Sequence, residues 1–277
     1  MDLKVFDHTD MSIAVRIEGG DATFVNAIRR TLLADVPKMA IEDVEFHLGP
    51  IRAEDGKEYE SVAPLFDEII SQRLGLVPIP TDLQLFVPKA TCPTCHGEGC
   101  PNCTIIYSLN KRGPGVVTSG DLEPIGDPKL KPKDGQIPIV KLGNGQALLI
   151  YATATLGTGR DHAKWQVAHG VGTRFATVLK AGGKTFEAPE SKVPPCPDHI
   201  MRPGSEEATI ELRSDCRNCR KFAEAYDVKT VKAFNDPSKI DLQFETDGSL
   251  TAKETLTAAL DILEKRFADL AGKAELL

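Results

Sequence analysis

Four of the chain's seven cysteines fall within twelve residues: Cys92, Cys95, Cys100 and Cys103, a C-x2-C-x4-C-x2-C array. Two knuckles joined by a glycine-containing loop can place four sulfurs around one ion, so this stretch is expected to fold as a metal loop. A d10 zinc ion accepts tetrahedral thiolates without a demanding ligand field, and a four-iron cluster also takes four cysteines. The residues alone leave both open. His96 could replace a cysteine but is more simply a loop residue.

The rest of the composition narrows the setting. A chain of 277 residues exceeds the usual size of one core, so two or three domains are expected. Hydrophobic residues at 41% and charged residues at 26% fit a globular protein, and no apolar run approaches the roughly 20 residues needed to cross a bilayer. The opening Met1-Asp2-Leu3-Lys4 lacks the order of a secretory signal, which predicts a cytoplasmic protein with reduced thiols. A net charge of -7 argues against a general phosphate-binding surface. If the chain works near DNA, other chains hold the DNA.

The hydrophobic pattern predicts an α+β fold. Leu3 to Phe6 and Ser12 to Ile17 alternate with period two around a polar turn, as a hairpin does. Phe24 to Ala34 is an amphipathic helix with Phe24, Ile28, Thr31 and Leu32 on one face, capped by Asp21 and stopped by Pro37. A strand is expected over Ile41–Phe46, with Val44, Phe46 and Leu48 alternating. Pro64 to Gly75 predicts a second helix with Leu65, Phe66, Ile69, Ile70 and Leu74 as its buried stripe. Beyond the cysteines, Thr104–Leu109, Val116–Ser119, Ile137–Val140 and Ala147–Thr155 read as strands between glycine- and proline-rich turns. Asp161 and His162 are sequence neighbours, but no nucleophile or second acid completes a catalytic site. Ile240, Leu242 and Phe244 form a late strand. Thr251 and Glu254 then open a capping box for a long helix, in which Leu256, Leu260, Leu263, Phe267 and Leu270 step by four and three, the geometry of helix pairing.

The run Asn26-Ala27-Ile28-Arg29-Arg30-Thr31-Leu32-Leu33, followed by Val36-Pro37, resembles a signature of the alpha-type assembly subunits of DNA-directed RNA polymerase. A second signature of that family is matched by Asp67-Glu68-Ile69 and then Arg73-Leu74-Gly75-Leu76-Val77-Pro78-Ile79. The segment His162-Ala163-Lys164-Trp165 is also similar, with a structural role in the family. The likeness spans nearly the whole chain and is nearest the archaeal D subunits, related to the bacterial alpha N-terminal domain and the third-largest eukaryotic subunit.

This resemblance implies a non-catalytic scaffold with no catalytic residue of its own. Residues 1–40 and 229–277 would form a discontinuous dimerisation domain, sheet plus helices, binding a smaller alpha-like subunit through Phe24, Ile28, Leu32, Leu256, Leu260, Leu263, Phe267 and Leu270. Residues 41–169 would form a mostly β domain bearing on a large catalytic subunit. The related eukaryotic subunit carries a zinc loop here, which favours zinc at the four cysteines. Residues 170–228 would be an inserted ferredoxin-like domain, which in several archaeal D subunits holds iron-sulfur clusters. Only Cys196, Cys216 and Cys219 remain for such a cluster, and Phe222 stands where a further C-x2-C step would fall. A three-iron cluster, a disulfide and an unmetallated relic are all open, with the relic ranked first. The rival reading from another class is an independent iron-sulfur redox protein. A zinc-ribbon nucleic-acid binder is disfavoured by the acidic charge.

Overall fold

The computed structural model describes residues 1–52, 56–182, 207–212 and 231–275, with side chains described except at 177–182, 207–212 and 231–234. Cys196, Cys216 and Cys219 lie outside the described residues.

Strands β1 (Asp2–His8) and β2 (Ser12–Glu18) form the expected antiparallel hairpin, and Thr9 Oγ1 accepts from the Met11 and Ser12 amides in its turn. Helix α1 (Ala22–Ala34) follows, its first turn capped by Asp21 Oδ1, which accepts from the Phe24 amide at 2.7 Å. Pro37 both ends the helical stretch and opens β3 (Pro37–Phe46), four residues before the expected start, because proline is tolerated at the first position of a strand. Val44 and Phe46 pack on the core, whereas Leu48 lies beyond the strand end and is exposed, so the expected alternation stops at Phe46.

After β4 (Pro50–Arg52) and β5 (Glu58–Glu60), helix α2 spans Asp67–Gly75. It starts three residues later than Pro64 suggests. Phe66 is its extended N-cap, which leaves that side chain off the helical stripe and exposed. Ile70 and Leu74 are fully buried, Leu65 partly, and Ile69 faces outward, so the expected stripe is narrower than read. Strands β6 (Thr104–Arg112), β7 (Gly115–Thr118), β8 (Glu123–Pro124), β9 (Pro138–Leu142), β10 (Ala147–Thr158), β11 (Ala168–Gly182), β12 (Glu207–Leu212) and β13 (Val231–Thr246) come next, then α3 (Ala252–Ala274). The strands order as β1-β2-β13-β11-β12 in one sheet and β3-β10-β6-β8 in another, with β4-β5 and β7-β9 as small ladders. The strand pairings whose register is described are all antiparallel, and antiparallel sheets with few helices are what an α+β fold requires. Strand β11 runs through residue 170, where the sequence places the start of the insert.

The described residues divide into two compact units, Met1–Arg30 with Gly170–Glu245 and Thr31–His169 with Thr246–Leu277. In the first, Ile13, Val15 and Ile17 of β2 stand directly opposite Phe244, Leu242 and Ile240 of β13, and all six are buried. The opposite face of the same strands carries Arg16 against Asp241. Arg16 Nε donates to Oδ1 at 2.6 Å and Nη2 to Oδ2 at 3.1 Å, both side chains almost fully buried, and the guanidinium lies 5.0 Å from the Phe6 ring centre. A two-pronged pair with an aromatic cover satisfies a charge that a strand interior would otherwise exclude.

The second unit holds one continuous core. Met39 and Ile41 of β3, Ile105, Tyr107 and Leu109 of β6, and Leu148 and Ile150 of β10 close on Ile70 and Leu74 of α2. The Tyr107 hydroxyl donates to the Leu130 carbonyl at 2.6 Å, and burial pushes its pKa up. Trp165 sits in a 3-10 turn (Ala163–Trp165), donates from Nε1 to the Thr155 carbonyl at 3.1 Å, and lays its indole on Gly157. A Cβ on Gly157 would meet the indole at 2.4 Å, so only glycine admits this packing. Gly157→Ala is therefore expected to lower unfolding stability by about 1–3 kcal/mol in urea titration. A midpoint equal to the parent's would contradict this account of Trp165.

Candidate metal centre and assembly surface

The four cysteines converge. Their Sγ atoms all lie within 4.8 Å of one another, with Cys92–Cys100 at 3.6 Å, Cys95–Cys103 at 3.5 Å and Cys100–Cys103 at 3.8 Å. Four sulfurs about 2.3 Å from a tetrahedral ion stand about 3.8 Å apart, so the donor set fits one metal ion. Local sequence produces this. Each knuckle closes with a backbone turn, His96 N donating to the Cys92 carbonyl and Cys103 N to the Cys100 carbonyl. The chain then reverses through left-handed residues, His96 at φ 53°, Gly97 at 99° and Gly99 at 107°. Glycine adopts that backbone freely, which is why the spacer between the knuckles contains two. His96 is exposed and lies outside the sulfur cluster.

Amides point at the sulfurs, with Gly99 N 3.3 Å from Cys95 Sγ and Cys100 N 3.3 Å from Cys103 Sγ. The Gly99 amide leads the causes that pull the Cys95 thiol down to about 6, whereas burial pushes Cys103 up to about 12. Amide donors and burial thus act oppositely on two sulfurs of one cluster, and a cation held by the four sulfurs would favour the thiolate at both.

Asp161 and His162, neighbours in sequence, are turn-formers. Asp161 Oδ2 accepts from the Thr158 amide and hydroxyl, and His162 Nδ1 accepts from the Lys164 amide at 3.1 Å. Both are committed to capping.

The residues read as partner-facing divide sharply by exposure. Ile28, Leu32 and Leu263 are 2, 1 and 8% exposed, covered by their own chain, and Phe24 and Leu256 are half-buried. Leu260, Phe267 and Leu270 are exposed at 41, 58 and 63%. Every residue from Glu264 to Glu275 is exposed, so the last three turns of α3 leave their own unit bare. Short helices in water rarely persist without packing on one face.

The chain matches the RNA polymerase Rpb3/Rpb11 dimerisation domain over residues 14–267. The chain belongs to that family. It is 44% identical over 269 residues to "DNA-directed RNA polymerase subunit Rpo3" of Picrophilus torridus, covering 97% of each chain. The protein of the same name from Thermoplasma volcanium is 43% identical over 267 residues, covering 96% of this chain and 97% of its own. That of Methanosarcina mazei is 34% identical over 279 residues, covering 99% and 96%. The polymerase resemblance therefore holds, and the chain is an assembly-type component of a nucleotidyltransferase complex, not itself catalytic. The redox reading is not favoured by relatives that match along nearly the whole length.

The dimerisation-domain match ends at Phe267, one residue beyond the group that fastens α3. Asp35, just after α1, accepts from Arg160 Nη2 at 2.6 Å and from Arg266 Nη1 at 2.7 Å, while its own side chain is 8% exposed. Sequence separations of 125 and 231 residues hid this cluster from any local pattern. The Arg266 guanidinium, then Arg160, holds the Asp35 carboxyl below its ordinary value. A lowered carboxyl adds stability that is complete above the ordinary carboxylate range, near 3.8, and is lost as pH falls through the depressed value. Asp35→Asn is expected to lose about 1–2 kcal/mol at pH 7. The deficit should close as pH drops below about 4. A deficit independent of pH would mean that the carboxylate charge is not what fastens the helix.

Proposed function

We propose that the chain is the scaffold on which an RNA polymerase assembles in the cytoplasm, pairing with a small alpha-like subunit so that the pair can carry the two large catalytic subunits. The observation that carries this reading is the bare end of α3, where Phe267 and Leu270 continue a line of exposure begun at Leu260 in a chain of the dimerisation family. An obligate interface of this kind would bury more than roughly 2,000 Å² in total. In this division residues 1–40 and 229–277 serve dimerisation, residues 41–169 bear on a large subunit, and 170–228 is an accessory ferredoxin-like insert. Whether the insert binds any cluster turns on Cys196, Cys216 and Cys219, and three thiolates support an unmetallated relic best.

The metal loop has a structural part in the same reading. Zinc is favoured at Cys92, Cys95, Cys100 and Cys103, because a closed four-thiolate site crosslinks a loop whose own apolar content is small. The chain's residues supply the donors, the amides that favour thiolate, and the glycines that admit the turn.

Two experiments test the proposal. Replacing Cys95 or Cys103 by serine should lower bound metal from about one ion per chain toward zero by elemental analysis. Unchanged metal content in both variants would show that these are not the ligands. Phe267→Asp places a charge on the exposed seam, and should cut copurification with the tagged small subunit at least tenfold while leaving the chain's own unfolding unchanged. Undiminished copurification would mean that the partner surface lies elsewhere.

A further inference from the structure

The bare turns of α3 are electrostatically lopsided. On a helical projection, Leu260, Phe267, Leu270, Ala271 and Ala274 form a narrow apolar seam. Arg266 and Lys273 border one side of it, and both already have an ion-pair partner within the chain, Arg266 in the Asp35 carboxylate it shares with Arg160 and Lys273 in Asp269 at 2.8 Å one turn away. Asp261, Glu264 and Glu275 border the other side. All three are exposed, and among the described residues none of them is in an ion pair. Glu275 also stands at the C-terminal end of the helix, where the macrodipole opposes a negative charge. Lys265, exposed and likewise in no ion pair among the described residues, lies behind Asp261 and farther from the seam, so the three acids stand nearest the seam without an ion-pair partner, while both bases on the other side have one.

We infer that the occupant of this face is a helix of the small subunit whose own apolar seam is bordered by lysine or arginine on the side that meets Asp261, Glu264 and Glu275. The inference rests on the dimerisation reading above and adds the partner's charge pattern, which the exposed seam alone would not specify. Two further observations and one general rule agree. The seam is narrow, as pairing with a single helix requires, and wide enough for knob-into-hole contact only along one line. Flanking charges set partner choice and orientation in such pairs. The helix also continues seven residues past the end of the dimerisation-domain match at Phe267, up to Ala274, so the seam residues Leu270, Ala271 and Ala274 and the C-cap Glu275 lie beyond the matched segment.

The test uses the complex of the full chain with the small subunit of the same polymerase, its dissociation constant read at two salt concentrations. Reversing the border with Asp261→Lys, Glu264→Lys and Glu275→Lys together should weaken association roughly tenfold at low salt and reverse the salt dependence. Neutralising it with Asp261→Asn, Glu264→Gln and Glu275→Gln should give an intermediate loss, with little salt dependence remaining. Phe267→Asp serves as the parallel arm. If it abolishes association while both border variants bind with the parent's affinity and salt dependence, the dimerisation reading stands and the charge inference is overturned. If Phe267→Asp binds like the parent, the surface itself has been misassigned and both fall.

Discussion

The carboxylate of Asp35 is the last point at which α3 is tied to its own unit. Two guanidiniums reach it from residues far apart in the chain, one from the turn after β10 and one from α3 at Arg266. Up to Leu263 the helix buries side chains, at Ala252, Thr255, Ala259 and Leu263; past it, every residue is exposed. The ion cluster therefore marks a physical boundary: below it the helix is stabilised by the unit's own core, and above it no side chain is buried and the Lys273–Asp269 pair lies within the helix itself. A 23-residue helix whose final three turns have no packing is the surface on which the proposed pairing rests.

A second buried pair performs the same kind of fastening close by. Lys38 and Asp247 meet with 4 and 12% of their side chains exposed, and Asp247 also accepts from the Ser249 amide and hydroxyl. The segment entering α3 is thereby pinned to the start of β3, where Thr81 Oγ1 in turn accepts from the Met39 amide. Breaking either partner of a pair so buried leaves an uncompensated charge, which costs far more than the pair contributes when intact. Such pairs fix orientation. In a subunit whose work is to present surfaces, fixed orientation is the function.

Much of this was legible in the sequence for physical reasons. The C-x2-C-x4-C-x2-C spacing made the sulfur cluster legible, and the glycines between the two knuckles supply left-handed turns along which the four sulfurs converge. Alternation in β2 and β13, the Asp21 cap and the Thr251 capping box are local rules, and each appears where the chain spells it. Phe66 and Leu48 misled because periodicity assumes that an element extends to its last apolar residue, whereas Phe66 is an N-cap and Leu48 lies past a strand end. The Arg16–Asp241, Lys38–Asp247 and Asp35 clusters join residues more than a hundred positions apart, and no window of sequence contains both partners. The split of the leucine seam into covered Leu263 and bare Leu260, Phe267 and Leu270 was equally invisible, since period alone cannot say what covers a face.

The central claim is that the end of α3 is completed by another chain. Amide hydrogen exchange over residues 264–275, measured in the free chain and in the complex with the small subunit, tests it most directly. The account predicts near-complete, rapid exchange in the free chain and strong protection in the complex, with residues 252–263 protected in both. Protection of 264–275 that is equal in the two states would contradict it.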